Sequence, residues 1–123
     1  EIKKLTDFFA TKLGQRMCLA SRSGTLKKEQ PFMLGVAANR VKEEYPEEEL
    51  VLVQGIIDAY FEEGDELVLV DYKTDRVDCV EELAQRYQLQ VGYYAEALER
   101  LVGKRVKERL IYSIRLGEVV AVP

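Results

Sequence analysis

"GIIDAYFEEGDELVLVDYKTD", Gly55 to Asp75, places two apolar runs around an acidic turn, with an aspartate inside each run and a lysine after the second. Apolar, β-branched and aromatic residues flanking Glu-Gly-Asp-Glu read as a β-hairpin. Aspartate is depleted in strands, and lysine mildly so, because neither suits a pleated, half-buried surface. Asp58, Asp71 and Lys73 therefore need a reason to be there.

The turn centres between Gly64 and Asp65. A two-residue loop pairs Glu63 with Glu66, a four-residue loop pairs Glu62 with Leu67, and either register sets Asp58 opposite Asp71. The strand period of two then puts Lys73 on the face of Asp71. Directly opposed residues have Cβ atoms about 4.5–5.5 Å apart, and like charges there are destabilising. The runs "VLVQGII" and "ELVLV" are apolar on both faces, which is how central, covered strands read. Two carboxylates in such a place repel each other and lose hydration, and a divalent cation between them removes both penalties. Taken singly, each of the three reads as an exposed strand-end charge. Three on one face read as a site.

Hard oxygen ligands without Cys or His point to Mg²⁺ or Mn²⁺. A lysine beside such an ion holds a nucleophilic water or stabilises charge building on a phosphoryl group. That set suits phosphodiester hydrolysis. Peptide or ester hydrolysis calls instead for zinc or a Ser/Cys nucleophile.

The 123 residues, 47% hydrophobic and 33% charged, amount to a single folded domain over 1–123. No apolar run approaches the roughly 20 residues of a membrane span, so no membrane partner is expected. The chain opens "EIKKLTDFF", already a helical pattern rather than a signal peptide and without an initiator Met, which suggests a piece of a longer polypeptide. Cys18 and Cys79 have no metal-ligand spacing and suit reduced thiols in a cytoplasm. Histidine is absent, which removes imidazole chemistry and His-ligated metal from this chain. Residues 1–28 carry seven Lys/Arg against two acids, and the remainder eleven against twenty. The acidic majority argues against a dedicated nucleic-acid-binding module. A phosphate-cutting site is less constrained, since bound cations supply positive charge locally.

Around the hairpin, spacings of three and four from Ile2 through Leu5, Phe9, Leu13 and Met17 to Ala20 predict one amphipathic helix. Residues 27–36 read as a strand, with Pro31 placing it at an edge or bulge. Residues 39–49 are an acidic loop or short helix. Strands follow over 50–62 and 67–74. A long helix starts at a capping box of Asp78 and Glu81, buries Val80, Leu83, Ala84, Tyr87, Val91, Tyr94, Ala95, Leu98 and Leu101, and stops at Gly103, with Lys104 and Arg105 near its negative end. "KERLIYSIR" and "EVVAV" close the chain as two strands. The order α-β-β-β-α-β-β implies an α/β fold with a mixed central sheet.

"GIID" followed by "DYK" resembles the PD-(D/E)XK nucleases, with the motif at Asp58, Asp71 and Lys73. The finer likeness is to the RecB-type branch and to the C-terminal nuclease domains of AddA-like, exonuclease V type helicase–nucleases. "QGIIDAYFEE", "LVDYKTDRV" and "QVGYYAEAL" carry it, the last matching Q-x-x-x-Y at Gln90 and Tyr94, and "KEQPFMLG" resembles the first core strand. The resemblance implies a restriction-endonuclease-like core and a metal-dependent DNase. In it, Asp58, Asp71 and the Tyr72 backbone carbonyl bind Mg²⁺ or Mn²⁺, Lys73 serves catalysis, and Gln90 and Tyr94 sit beside the site against substrate. Residues 90 and 94 also share one helix face by their spacing, and Gln90 lies on the inner stripe, where an amide needs a partner. Glu29 is a weaker candidate ligand, more simply a surface charge.

The resemblance further implies DNA as substrate, a bacterial cytoplasmic setting in double-strand-break repair and recombination, a helicase region upstream in the same polypeptide, and a partner helicase–nuclease subunit. ATP would act only through that helicase region, since no G-x-x-x-x-G-K-[ST] loop is present. RecB-type domains carry a histidine ligand on an upstream helix that this chain lacks. Two unrelated cysteines leave no iron–sulfur cluster. A catalytically silent docking module of the same fold is the alternative, and a plain nucleic-acid-binding domain would need a basic face beyond residues 1–28.

Overall fold

The computed structural model describes residues 2–123, with side chains from residue 3 onward. In chain order the elements are α1 (Ile2–Ala10), α2 (Lys12–Arg22), β1 (Leu26–Ala37), α3 (Ala38–Val41), β2 (Leu50–Glu63), β3 (Glu66–Lys73), α4 (Glu81–Val102), β4 (Val106–Ser113) and β5 (Glu118–Ala121). The strands form one sheet in that same order. β3 and β4 are parallel and the other neighbours antiparallel, so the sheet is mixed and α4 is the crossover that a parallel pair requires. This is the α/β architecture expected from the sequence.

Two cores flank the sheet. Alternation along β3 sends Leu67 and Leu69 to one face, against Leu83, Val91, Ala95 and Leu98 of α4. Val68 and Val70 go to the other, against Leu13, Met17 and Ala20 of α2. Burying each such side chain contributes on the order of 1.5–3 kcal/mol. β1 is an edge strand, as Pro31 implied. The outer half of β2 departs from its expected cover. Val51 and Val53 pack with Tyr93 and Ala97, but Leu50, Leu52 and Ile56 are 74%, 66% and 58% exposed on the face that α2 does not reach.

The expected N-terminal helix is two helices. Thr11 leaves helical geometry (φ −75°, ψ 158°), accepts the Gly14 amide at 2.9 Å and donates its hydroxyl to the Phe8 carbonyl at 2.6 Å, capping α2 and ending α1. Leu13, Met17 and Ala20 are buried as the stripe predicts, whereas Leu5 and Phe9 are exposed, and the Ile2 side chain lies outside the described residues. Phe8 instead turns inward, edge-on to Tyr112 at 4.9 Å and Tyr72 at 6.0 Å.

The capping box at Asp78 does not form. α4 begins three residues later, with Val80 in the cap position and no side-chain cap, because burying Val80 and Leu83 fixes the first turn. Gly103 ends the helix as expected, left-handed at φ 78° with its amide on the Glu99 carbonyl at 2.8 Å. Leu101, assigned to the buried stripe, is exposed. Lys104 and Arg105 reach away from the helix end to Glu62 (2.7 Å) and Glu66 (2.6 Å).

These pairs belong to a charged clamp at the hairpin turn. Arg16 of α2 forks between Glu63 (2.7 Å) and Glu108 (2.6 Å), and Lys107 adds a second cation on Glu63 at 3.1 Å. The Arg16 hydrogen bonds pull the Glu63 carboxyl down to about 2. All are partly solvated, so each contributes modestly. Together they tie α2, β2 and β4 at the turn, at the opposite end of β3 from its two unexpected charges.

The α1–α2 corner rests on Gly14, where a Cβ would overlap the Phe8 carbonyl oxygen and touch the Phe9 Cα. Gly14→Ala is expected to destabilise the protein by about 1–3 kcal/mol, the range for an overpacked contact. Gly35→Ala, with nothing within 4 Å of its Cβ, should be near neutral. Urea midpoints followed by circular dichroism check both, and equal midpoints would remove the corner from the stability of the fold.

Candidate active site

The hairpin register is the expected one. Ala59 pairs with Val70, Tyr60 with Leu69 and Glu63 with Glu66. One further step sets Asp58 against Asp71, but the paired ladder stops short of it. Ile57 packs on the α4 side while Ala59 and Phe61 pack on the α2 side, so strict alternation slips at Asp58. On β1, Lys28 pairs with Ala59 and Gln30 with Ile57, leaving out Glu29, which has a positive φ of 52°. The irregularity turns Asp58 into the sheet plane, where its Oδ2 accepts the Tyr72 amide at 2.9 Å. A side chain thus replaces a ladder hydrogen bond, and the expected direct cross-strand pair is a carboxylate lodged between strands.

Asp71 is 3% exposed, and its Oδ2 has no hydrogen-bond donor. Lys73 Nζ approaches that oxygen at 3.1 Å as an ion pair, outside hydrogen-bonding alignment. Burial first, and the Asp58 carboxyl second, push Asp71 up to about 6, while Lys73 opposes them. The Lys73 ammonium donates to Gln90 Oε1 at 3.0 Å and stands 4.0 Å from the centre of the Tyr87 ring. Tyr87 in turn donates its hydroxyl to Asp75 Oδ2 at 2.7 Å, an oxygen that Arg86 also binds at 2.8 Å.

The α4 face that contributes Gln90 also contributes Tyr94, one turn on. Burial first, then the charges of Asp71 and Asp58, push the Tyr94 hydroxyl up. Its ring meets Phe32 edge-on at 5.1 Å, and Gly55 makes the room, since a Cβ there would stand 3.2 Å from Phe32 and 3.7 Å from Tyr94. Tyr72 points its side chain to the opposite face, where burial pushes the hydroxyl up to about 12, and only its backbone belongs to the site.

Asp58, Asp71, Lys73, Gln90 and the Tyr72 amide therefore meet at the C-terminal end of β3, with Tyr94 one helical turn beyond Gln90. Glu29 is exposed and does not join them, since among the described residues no three His, Cys, Asp or Glu gather as a metal cage. Tyr87 and Asp75 were not singled out by sequence. The 3.6-residue stripe read Tyr87 as core, and nothing in the spacing links it to an aspartate twelve residues earlier.

The donor chemistry fits a hard divalent cation: two adjacent carboxylates, one with a buried oxygen that meets Lys73 as an ion pair without an aligned hydrogen bond. A family model described as the PD-(D/E)XK nuclease superfamily matches residues 6–120. A protein from Thermoanaerobacter sp. (strain X514), named as one subunit of an ATP-dependent helicase/nuclease, is 45% identical over 124 residues, covering 97% of this chain and 10% of the relative. Proteins of the same name from Clostridium kluyveri (strain ATCC 8527) and Lachnoclostridium phytofermentans are 41% and 37% identical, covering 90% and 98% of this chain and 9% and 11% of theirs. The chain spans about a tenth of the length of the curated relatives it matches.

The raised Asp71 carboxyl makes a pH prediction for the metal-free protein. The folded state holds the Asp71 proton up to about pH 6, whereas an unfolded aspartate releases it near 3.8. Its contribution is therefore present below pH 4 and lost as pH rises toward 6 and beyond. Asp71→Asn should stabilise the chain relative to wild type at pH 7.5 by on the order of 2–3 kcal/mol, with the gain vanishing near pH 4. Thermal melts across that range in chelator test it, and a gain independent of pH would contradict the assigned burial cost.

Proposed function

The chain belongs to the PD-(D/E)XK nuclease superfamily, and from that premise we propose that its hairpin site hydrolyses DNA phosphodiester bonds with a divalent cation. On this reading, residues 1–123 are the nuclease domain of a longer bacterial helicase–nuclease polypeptide, exonuclease V-like in type. It would act in the cytoplasm with a partner subunit in double-strand-break repair and recombination, and its ATP-driven motor would lie elsewhere in the polypeptide. The relatives' names support the helicase–nuclease setting. The observation that carries the chemistry is Asp71, a buried carboxylate beside Asp58 whose Oδ2 has the Lys73 ammonium as an ion-pair partner and no aligned hydrogen bond.

Asp58, Asp71 and the Tyr72 carbonyl would hold Mg²⁺ or Mn²⁺, which supplies Lewis acidity at a phosphoryl oxygen and toward water. The chain's own residues do the rest. Lys73, oriented by Gln90 and Asp71, presents a fixed positive charge where negative charge develops on the phosphoryl group. Gln90 keeps the ammonium from collapsing fully onto Asp71, which leaves the carboxylate free to face a cation. The Tyr94 hydroxyl, one helical turn beyond Gln90 on the same face of α4, would contact substrate. Asp58 is held to the Tyr72 amide, so a cation bound by the pair would be fixed to the sheet backbone.

A silent module with the same fold is the second reading. It is favoured by the absence, among the described residues, of a third acidic or imidazole ligand beside the pair. Linear DNA with Mg²⁺ or Mn²⁺ separates the two, using this chain and the longer polypeptide. Cleavage should occur in the longer polypeptide, stop with chelator, and fall at least about 10²-fold in Lys73→Ala and in Asp71→Ala. Unchanged rates in both variants would sink the site. Failure of the longer polypeptide to bind either ion by calorimetric titration would establish the silent module.

A further inference from the structure

The ring beside Lys73 has no part in the chemistry assigned so far. We infer that Tyr87, anchored by Asp75, is a positioning residue that fixes the Lys73 ammonium beside Asp71. The inference rests on the hydrolytic reading of the site and adds to it the device that aims the lysine.

A lysine side chain has four rotatable bonds and loses that freedom when it is fixed, so an ammonium useful at one point must be held there. Lys73 has three contacts from three directions: Gln90 Oε1 at 3.0 Å, Asp71 Oδ2 at 3.1 Å and the face of Tyr87 at 4.0 Å. Two of these are polar and lie toward the carboxylates. The ring closes the remaining side, and as a hydrocarbon face with a negative quadrupole it holds the cation without neutralising it. A second carboxylate in the same position would form a full ion pair and draw the ammonium away from the substrate.

Phenylalanine would supply the same face, so the hydroxyl has its own role. Tyr87 donates to Asp75 Oδ2 at 2.7 Å, and Arg86 holds the same oxygen at 2.8 Å. Asp75 leaves β3 two residues after Lys73, while Tyr87 and Arg86 stand on the second turn of α4. The bond therefore ties the helix that carries the ring to the strand exit that carries the lysine. It sets the ring's height above Nζ at both ends. A phenol donating to a carboxylate also has a more electron-rich ring, which strengthens its hold on the cation. A tyrosine that merely filled the core would need neither the ammonium on its face nor the anchor.

The test has one readout that needs no activity and one that does. In the metal-free chain, proton–carbon NMR should place the Lys73 ε-methylene upfield of the other lysines through the Tyr87 ring current. The shift should persist in Tyr87→Phe and vanish in Tyr87→Leu. In the longer polypeptide, cleavage of linear DNA with Mg²⁺ should show kcat falling about tenfold in Tyr87→Leu with KM unchanged. Tyr87→Phe and Asp75→Asn should fall about two- to threefold, and Tyr87→Leu should add nothing in a Lys73→Met background. An unshifted ε-methylene, a kcat unaffected in Tyr87→Leu, or an equal loss with Lys73 already removed would overturn the inference. Wild-type activity in Lys73→Met would instead refute the catalytic assignment of the lysine, and the NMR shift would still decide whether the ring holds the ammonium.

Discussion

Burying one carboxylate is the constraint that organises this end of the molecule. Asp71 sits in the central strand, nearly out of reach of water, next to a second carboxylate. An unpaired buried charge is so costly that a group placed there either neutralises or finds partners. Its elevated pKa records the first response, and Lys73 provides the second. Neither is complete, because Lys73 also gives a hydrogen bond to Gln90 and one Asp71 oxygen still lacks a donor. A core evolved only for stability would replace such a group with an apolar side chain of similar volume, which is often neutral or favourable. On the proposed reading, that incomplete neutralisation would leave the pair able to take up a cation.

The rest of the fold holds that constraint in place. α4 crosses from β3 to β4 and supplies both its apolar stripe and the Gln90, Tyr94 and Tyr87 side chains that face the strand end. The Arg16–Glu63–Glu108 clamp fixes the hairpin at its turn, so the register that brings Asp58 to Asp71 is secured at a distance from the charges themselves. Ion pairs that are individually weak matter here for geometry, because a slip of one residue would carry every hairpin side chain to the other face.

Much of this was legible because the hairpin obeys simple periods. The turn position sets the register, and the register sets which charges meet. The i, i+4 spacing of Gln90 and Tyr94 fixes their common face. What was not legible came from local breaks in those periods. Thr11 splits a helix whose apolar stripe runs straight through it, since a cap depends on one hydroxyl and on room for a carbonyl at Gly14. Asp78 has the spacing of a capping box, but the burial of Val80 against the tertiary core outweighs it. The apolar run of β2 looked covered on both faces. Whether a second layer exists over Leu50, Leu52 and Ile56 depends on where α2 ends, and strand composition carries no information on that. The pleat slip at Asp58 left no signal in the hairpin sequence, and its partner on β1, a non-glycine residue with positive φ at Glu29, reads as an ordinary surface charge.

That slip explains why two aspartates in one hairpin are not equivalent. Strict alternation would have put both side chains on a single face, as like charges with equal claims on Lys73. The slip lays Asp58 between strands instead, where a backbone amide binds one of its oxygens and part of its surface remains open. Asp71 stays on the α4 face, deeply buried and without a backbone donor to its Oδ2. A desolvated carboxylate resists ionisation, and Asp71 is the desolvated one of the two. On the proposed reading the sheet thus offers one partly open ligand held by a backbone amide and one buried ligand that a cation would neutralise. An amide at Asp58 would present its N–H₂ as readily as its oxygen and could not keep both roles. On the proposed reading the hairpin needs two carboxylates because one would anchor the site to the backbone and the other would give a cation its reason to enter.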